Sequence, residues 1–180
     1  VLAIIILFQE DIRKGLARAG QFIPNKALSQ DVSTVENIVK TVFALASRRI
    51  GAIVVLERGG LGVMEETLQT GTNMDAVVSS ELLTAIFLPN SPLHDGAVII
   101  RNDRIVAAQC ILPISGQSIS KIYGTRHRAG IGVGENTNAI ALIVSEERGT
   151  VALAKNGEME VITNNNDLRQ QLQTLMAFED

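Results

Sequence analysis

"AVIIRNDRIVAAQCILP", residues 97–113, decides the fold class. Two apolar runs rich in Val, Ile and Ala flank Asn102-Asp103. Asn and Asp tolerate the left-handed backbone that folds one strand back on another, so the stretch predicts a β-hairpin. Downstream, "AIALIVSEERGTVALAKNGEMEVIT" (139–163) reads as three more strands, turned at Glu147-Arg148-Gly149 and at Asn156-Gly157. Upstream, Gly51 precedes "AIVVLE", a buried strand, and "ERGGLG" (57–62) breaks the chain after it.

Helical patterns lie between these strands. Val35, Ile38, Val39, Val42, Phe43 and Ala46 recur at helical spacing within 34–48, and Ser33 with Glu36 forms a capping-box pattern at its start. Residues 9–19 also read as helix. "AVVSSELLTAIFLP" (76–89) gives a short strand, an N-cap at Ser79 or Ser80, and a helix stopped near Pro89. A helix begins within "GTRHRAGIGVGENTN" (124–138), and "NDLRQQLQTLMAF" (166–178) closes the chain as another. The order predicts an α+β fold: a central mixed, mainly antiparallel sheet flanked by helices.

The 180 residues suit one domain, and 46% hydrophobic with 19% charged residues suits a globular one. A net charge of −3 argues against a general nucleic-acid binder. Cys110, the single cysteine, excludes an internal disulfide and a Cys-cluster zinc site, and its apolar run marks it as a core thiol. "VLAIIILF" (1–8) is too short to span a bilayer and lacks a signal peptide's flanks. It reads either as a buried element or as the end of a transmembrane helix.

Polar residues interrupt the apolar runs in three places. His94-Asp95-Gly96 leads into the strand at Ala97; it is either an Asx-type turn or a metal ligand beside a carboxylate base, with glycine permitting close ligand approach. Thr125-Arg126-His127-Arg128 is either a solvated basic turn or an anion site. Residues two apart on a helix point about 200° from each other, so the two arginines serve one anion only near a helix start, with Thr125 as cap. Ser145-Glu146-Glu147 is either an acidic hairpin turn or a source of a carboxylate for a metal. Together they suggest phosphoryl or nucleotidyl transfer, where catalysis is positioning and charge neutralisation. There is no P-loop or G-x-S-x-G, and "GIGVGE" does not meet the dinucleotide fingerprint.

"LHDGAVII" (93–100), "GTRHRAGIG" (124–132) and "IVSEERGTVALAKNG" (143–157), in that order and spacing, resemble the diadenylate cyclase (DAC domain) family, in its membrane-anchored, CdaA-type bacterial branch. "LFQEDIRKGLARAG" and "VSSELLTAIFLPNSPLHDGA" are similar to that branch too. The resemblance implies condensation of two ATP into cyclic di-AMP and two pyrophosphates across a face-to-face homodimer. By motif position it implies Asp95 as the group readying the 3′-hydroxyl and Gly96-Ala97 bordering the nucleotide. It further implies Thr125, Arg126, His127 and Arg128 on phosphates, Ser145 near the nucleotide, and His94, Asp95 and Glu147 at the metal. An imidazole donor favours Mn²⁺ or Co²⁺, with Mg²⁺ possible. Relatives have Pro where Glu10 stands and often an aromatic where Ile111 stands, so adenine would rest here on apolar packing. The resemblance makes residues 1–8 a transmembrane remnant and 9–180 a single catalytic domain on the cytoplasmic side of the cell membrane, open to regulatory protein partners. A non-catalytic ATP or cyclic-dinucleotide sensor, or a metal-dependent phosphohydrolase, is the rival reading.

Overall fold

The computed structural model describes residues 24–58, 63, 65–117 and 123–176, with side chains from Ser33 onward. The expected helix at 9–19 and the apolar stretch 1–8 lie outside these residues. The chain divides into two compact units, Val1–Ser33 and Thr34–Asp180, and the elements of the second unit carry the site.

Helix α1 runs Pro24–Ser47. It begins well before the expected cap at Ser33, so the Ser33–Glu36 pattern does not start a helix. Glu36 instead receives Arg169, whose Nη2 lies 3.0 Å from Glu36 Oε2 and whose Nε also donates to that carboxylate. Those hydrogen bonds, opposed by partial burial, hold the Glu36 carboxyl below its usual range.

Strand β1 (Ala52–Leu56) is followed by the short helix α2 (Glu65–Gln69), β2 (Thr72–Val77) and α3 (Ser80–Phe87). Ser79 is the N-cap of α3; its side chain accepts from Leu82 N at 3.2 Å. The expected hairpin follows as β3 (Ala97–Arg101) and β4 (Arg104–Cys110). Asn102 and Asp103 both take positive φ, 49° and 60°, as the turn between right-twisting strands requires. Helix α4 (Thr125–Asn136), β5 (Ile140–Val144), β6 (Val151–Lys155), β7 (Glu158–Ile162) and α5 (Asn165–Met176) complete the order.

The sheet has seven strands in the order β2-β4-β3-β1-β5-β6-β7. Among the described strands only β1 and β3 pair in parallel, Val54 opposite Val98; the other pairs are antiparallel. The mixed, mainly antiparallel sheet flanked by helices is therefore observed. β1, β3 and β5 are apolar at nearly every position because both sheet faces are covered. One face packs Val54, Leu56, Val98, Ile100, Leu142 and Leu153 against Ile38, Val42, Leu45, Phe87 and Leu172 of α1, α3 and α5. The other packs Ile53, Val55, Ile99, Ala141 and Ile143 against Leu68 of α2 and Ile131 and Val133 of α4. Each fully buried Leu or Ile contributes about 1.5–3 kcal/mol.

Candidate functional site

Gly96, immediately before β3, has φ 142°, a conformation closed to ordinary side chains. A Cβ there would sit 2.5 Å from the carbonyl carbon of Gln109, so the glycine also admits the backbone of β4. Between Ala97 and Ile99 the β3–β4 register shifts, and Gln109 takes φ 62°. This bulge opens the end of the hairpin and turns Gln109 towards a cavity, the usual local effect of an extra strand residue.

That cavity measures about 730 Å³. Asp95, Gly96, Ala97 and Gln109 form part of its wall, with Cys110, Ile111, Leu112 and Ile114 continuing as an apolar side. Ile111 is 70% exposed at the rim, and its N–H donates to Thr70 Oγ1 at 2.9 Å. Cys110 is a core thiol as expected; burial pushes its pKa up to about 11, which keeps it unreactive.

Thr125 and Arg126, in the first turn of α4, supply the opposite, polar wall. Gly124, not Thr125, is the N-cap, and no side chain caps the helix, so its first N–H groups stay available to an anion. The helix lies close to the chain beneath it: a Cβ on Gly132 would meet the Pro113 carbonyl at 2.4 Å, and Ser115 N donates to Arg128 O at 3.1 Å. Such contact fixes where the first turn points.

A second cavity of about 270 Å³ adjoins α4 and is lined by Gly124, Thr125, Arg126, His127, Val144, Ser145, Glu146 and Glu147. Ser145 is buried where β5 ends and closes the turn: its hydroxyl accepts from Arg148 N at 3.3 Å, its carbonyl from Gly149 N at 2.8 Å. His127 is buried as well, its ring centroid 5.2 Å from that of Tyr123. Burial, then the positive charge of Arg148, lowers the His127 pKa; Glu147 opposes the shift and Arg126 adds to it. The ring is thereby held neutral more readily than a free imidazole.

The structure thus brings Asp95, Gly96, Ala97, Ile111, Thr125 and Arg126 to one cavity and Thr125, Arg126, His127, Ser145 and Glu147 to the other. Arg128 is exposed and lines neither, since it points away from Arg126 on the helix. His94 also lines neither. Its Nδ1 lies 2.6 Å from the Ser91 carbonyl, an acceptor, so Nδ1 carries the proton and Nε2 keeps the lone pair a metal needs.

Among the described residues no three His, Cys, Asp or Glu side chains gather to hold a metal ion. Those residues offer a cation no closed cage; His94 Nε2 and the carboxylates are suitable donors, but not as a complete set. Sequence reasoning missed Gln109, Leu112 and Ile114, which the bulge and the following loop bring to the cavity, and Thr70, from the turn before β2, and it gave Glu146 no role of its own. Glu146 lines both cavities and accepts from Arg126 Nη1 at 3.0 Å.

Relatives share this framework. Cyclic di-AMP synthase CdaA of Bacillus subtilis is 44% identical over 179 residues, covering 96% of this chain; the chain spans 64% of that protein's length. A crystal structure of a DacA double mutant from Staphylococcus aureus superposes with a TM-score of 0.75 at 39% identity, over 79% of this chain and 95% of that one. The crystal structure of a hypothetical membrane spanning protein from Bacillus cereus gives a TM-score of 0.70 at 38% identity, over 89% of this chain and 80% of that one. The family model described as DAC, DisA bacterial checkpoint controller nucleotide-binding, matches residues 39–159, the span from α1 to β7 that holds both cavities. On that match and on these identities, the chain belongs to the DAC family of diadenylate cyclases.

Proposed function

We propose that the chain condenses two ATP molecules into cyclic di-AMP with release of two pyrophosphates. The observation that carries this is one cavity of about 730 Å³ walled by an exposed carboxylate, Asp95, and by the uncapped start of α4 with Arg126. A proton acceptor and an anion-binding helix start facing the same space are what nucleotidyl transfer needs. The volume lies within the range of nucleotide-sized pockets, about 300–1,000 Å³.

In the reading proposed here, the apolar wall at Ile111, Leu112 and Ile114 takes the adenine. Thr125, Arg126 and the free N–H groups of α4 take the triphosphate, which extends towards His127, Ser145 and the smaller cavity; Arg128 remains a reserve for phosphate from outside the wall. Asp95 accepts the 3′-hydroxyl proton as that oxygen bonds to the α-phosphorus of the other ATP. The bond from that phosphorus to pyrophosphate breaks, and pyrophosphate departs with its electron pair. The same step, repeated with the roles of the two nucleotides exchanged, closes the ring. Each chain holds one nucleotide, so two must face each other about a two-fold axis.

Glu147 and His94 Nε2 are the groups proposed to help hold a divalent cation, Mn²⁺ or Co²⁺ ahead of Mg²⁺, the remaining positions falling to phosphate oxygens. When bound, the cation supplies neutralisation of triphosphate charge. The Bacillus cereus relative is described as a hypothetical membrane spanning protein, which supports placing the domain at a membrane; the cytoplasmic side is the one that holds ATP.

Incubation with ATP and Mn²⁺, with products identified by mass, tests the reading. Cyclic di-AMP is the expected product; ADP or AMP would make the protein a hydrolase, and unchanged ATP a sensor. Specific activity should also rise with protein concentration, because one chain holds half of the reaction. A flat profile in a sample shown to be monomeric would exclude the face-to-face arrangement.

A further inference from the structure

Arg126 and Glu146 meet on the wall between the two cavities, each lining both. The pair rests on Gly51, the buried residue just before β1. A Cβ at Gly51 would lie 2.4 Å from Arg126 Nη1 and 2.7 Å from Glu146 Oε2. Three separate segments therefore converge here: the start of α4, the β5–β6 turn and the entry to β1. The side chains are 25% exposed for Arg126 and 59% for Glu146, so the arginine is held in the wall while the carboxylate can leave towards solvent.

We propose that Glu146 is a positioning residue acting through Arg126. In the nucleotide-free protein its carboxylate occupies the guanidinium and seats it against Gly51, and an incoming phosphate must take the arginine from it. The exchange rests on the function proposed above, since it assumes that Arg126 meets a triphosphate. An arginine fork satisfied by a carboxylate is equally suited to phosphate oxygens, so both anions compete for one donor. The carboxylate keeps the fork aimed into the shared wall when no ligand is present. It also opposes, by like charge, whatever phosphate arrives, which confines tight binding to ligands with enough phosphate to displace it.

Titration with 3′-deoxy-ATP, which lacks the attacking hydroxyl, and with inorganic tripolyphosphate tests this directly. Glu146→Gln keeps an oxygen that accepts from Arg126 but removes the competing charge. It should bind both probes about twofold to fivefold more tightly than the unaltered chain, the scale of one solvent-exposed charge interaction. A role confined to holding the fold would weaken binding or leave it unchanged, and either result overturns the inference.

Gly51→Ala supplies the second arm. The atoms its methyl group would strike end flexible side chains, so the fold should persist with an unchanged melting temperature while the seat is lost. Tripolyphosphate should then bind about fivefold or more weakly, and adding Glu146→Gln should bring no tightening, because both changes act through one arginine. Full tightening by Glu146→Gln in the Gly51→Ala background would overturn the role of the seat. Binding of 3′-deoxy-ATP by the unaltered chain, with no gain in Glu146→Gln, would sink the positioning role and leave the proposed function standing. Binding by neither protein would remove the proposed function first.

Discussion

Beneath α1, α3 and α5 the sheet buries a cluster of 25 apolar residues among the described ones, of which only Ala46, Ala52 and Ala108 are alanines. The opposite face, under α2 and α4, holds 15 among the described residues, and 5 of them are alanines: Ala97, Ala107, Ala139, Ala141 and Ala154. The first face is filled to the helices. The second is shallower, and α4 is brought in close by Gly130 and Gly132, so its first turn can edge a cavity instead of covering one. One sheet is thus divided between a face that supplies cohesion and a face that gives up side-chain volume to make room for a ligand.

The sharpest test of this division is Asp95→Asn, which touches the ligand face alone. If Asp95 is the general base proposed above, its loss lowers the rate by about 10²- to 10⁴-fold. Asp95 is exposed, so the melting temperature and ATP affinity should stay near their original values. Retained turnover, measured as cyclic di-AMP formed, would remove Asp95 from its role.

Leu142 and Ile143 are neighbours on β5, both fully buried, and point to opposite faces. Truncation of either to Ala should cost about 2–5 kcal/mol in denaturant unfolding. Only Ile143→Ala should also weaken ATP binding, because a side chain at Gly130 of α4 would touch Ile143 directly. Equal effects on binding would break the division between the faces.

Beyond the C-terminal end of β1, the buried Glu57 carboxylate accepts from Val63 N at 2.7 Å and from Arg101 Nη2 at 3.2 Å. Arg101→Met would leave that carboxylate with a backbone donor but no counter-charge. A loss of about 3 kcal/mol is expected, at the low end for a buried pair because Arg101 is itself 42% exposed. Catalysis per folded molecule should be unaffected.

The smallest effect belongs to His127. Its folded pKa lies below that of the unfolded chain, about 6.5, so the unfolded state binds the proton more readily. Its stabilising contribution is complete above that value and is lost as pH falls through the folded pKa. Melting temperatures followed from about pH 7 to about pH 5 should fall more steeply for the unaltered protein than for His127→Gln.

Both tight hairpins were legible because their turns are local: Asn102-Asp103 and Asn156-Gly157 set positive φ without help from the rest of the chain. So were the apolar strands β1, β3 and β5. α2 was not, because five residues after a glycine-rich break carry too little periodicity to mark a helix. The parallel β1–β3 pairing has no local signal at all. At the site, the motifs identified Asp95 and Arg126, but spacing cannot say which glutamate of Ser145-Glu146-Glu147 meets Arg126. That depends on how the β5–β6 turn and α4 approach Gly51. Gln109 was missed for a related reason: a register shift, invisible in a strand's composition, brings it to the wall.

β1 sits at the middle of the sheet, with Val54 between Val98 and Leu142. It is nevertheless the first strand of this sheet in chain order, and both of its neighbours are made later. Until β3 has emerged, "AIVVL" has two unpaired edges, and until Val144 has emerged the edge that faces β5 stays open. Pairing over such separations is slow, and an open apolar strand invites association with other chains. Chains that end before β5 should therefore be the insoluble ones, and the timing of synthesis, as much as the final packing, governs how much folded protein a cell obtains.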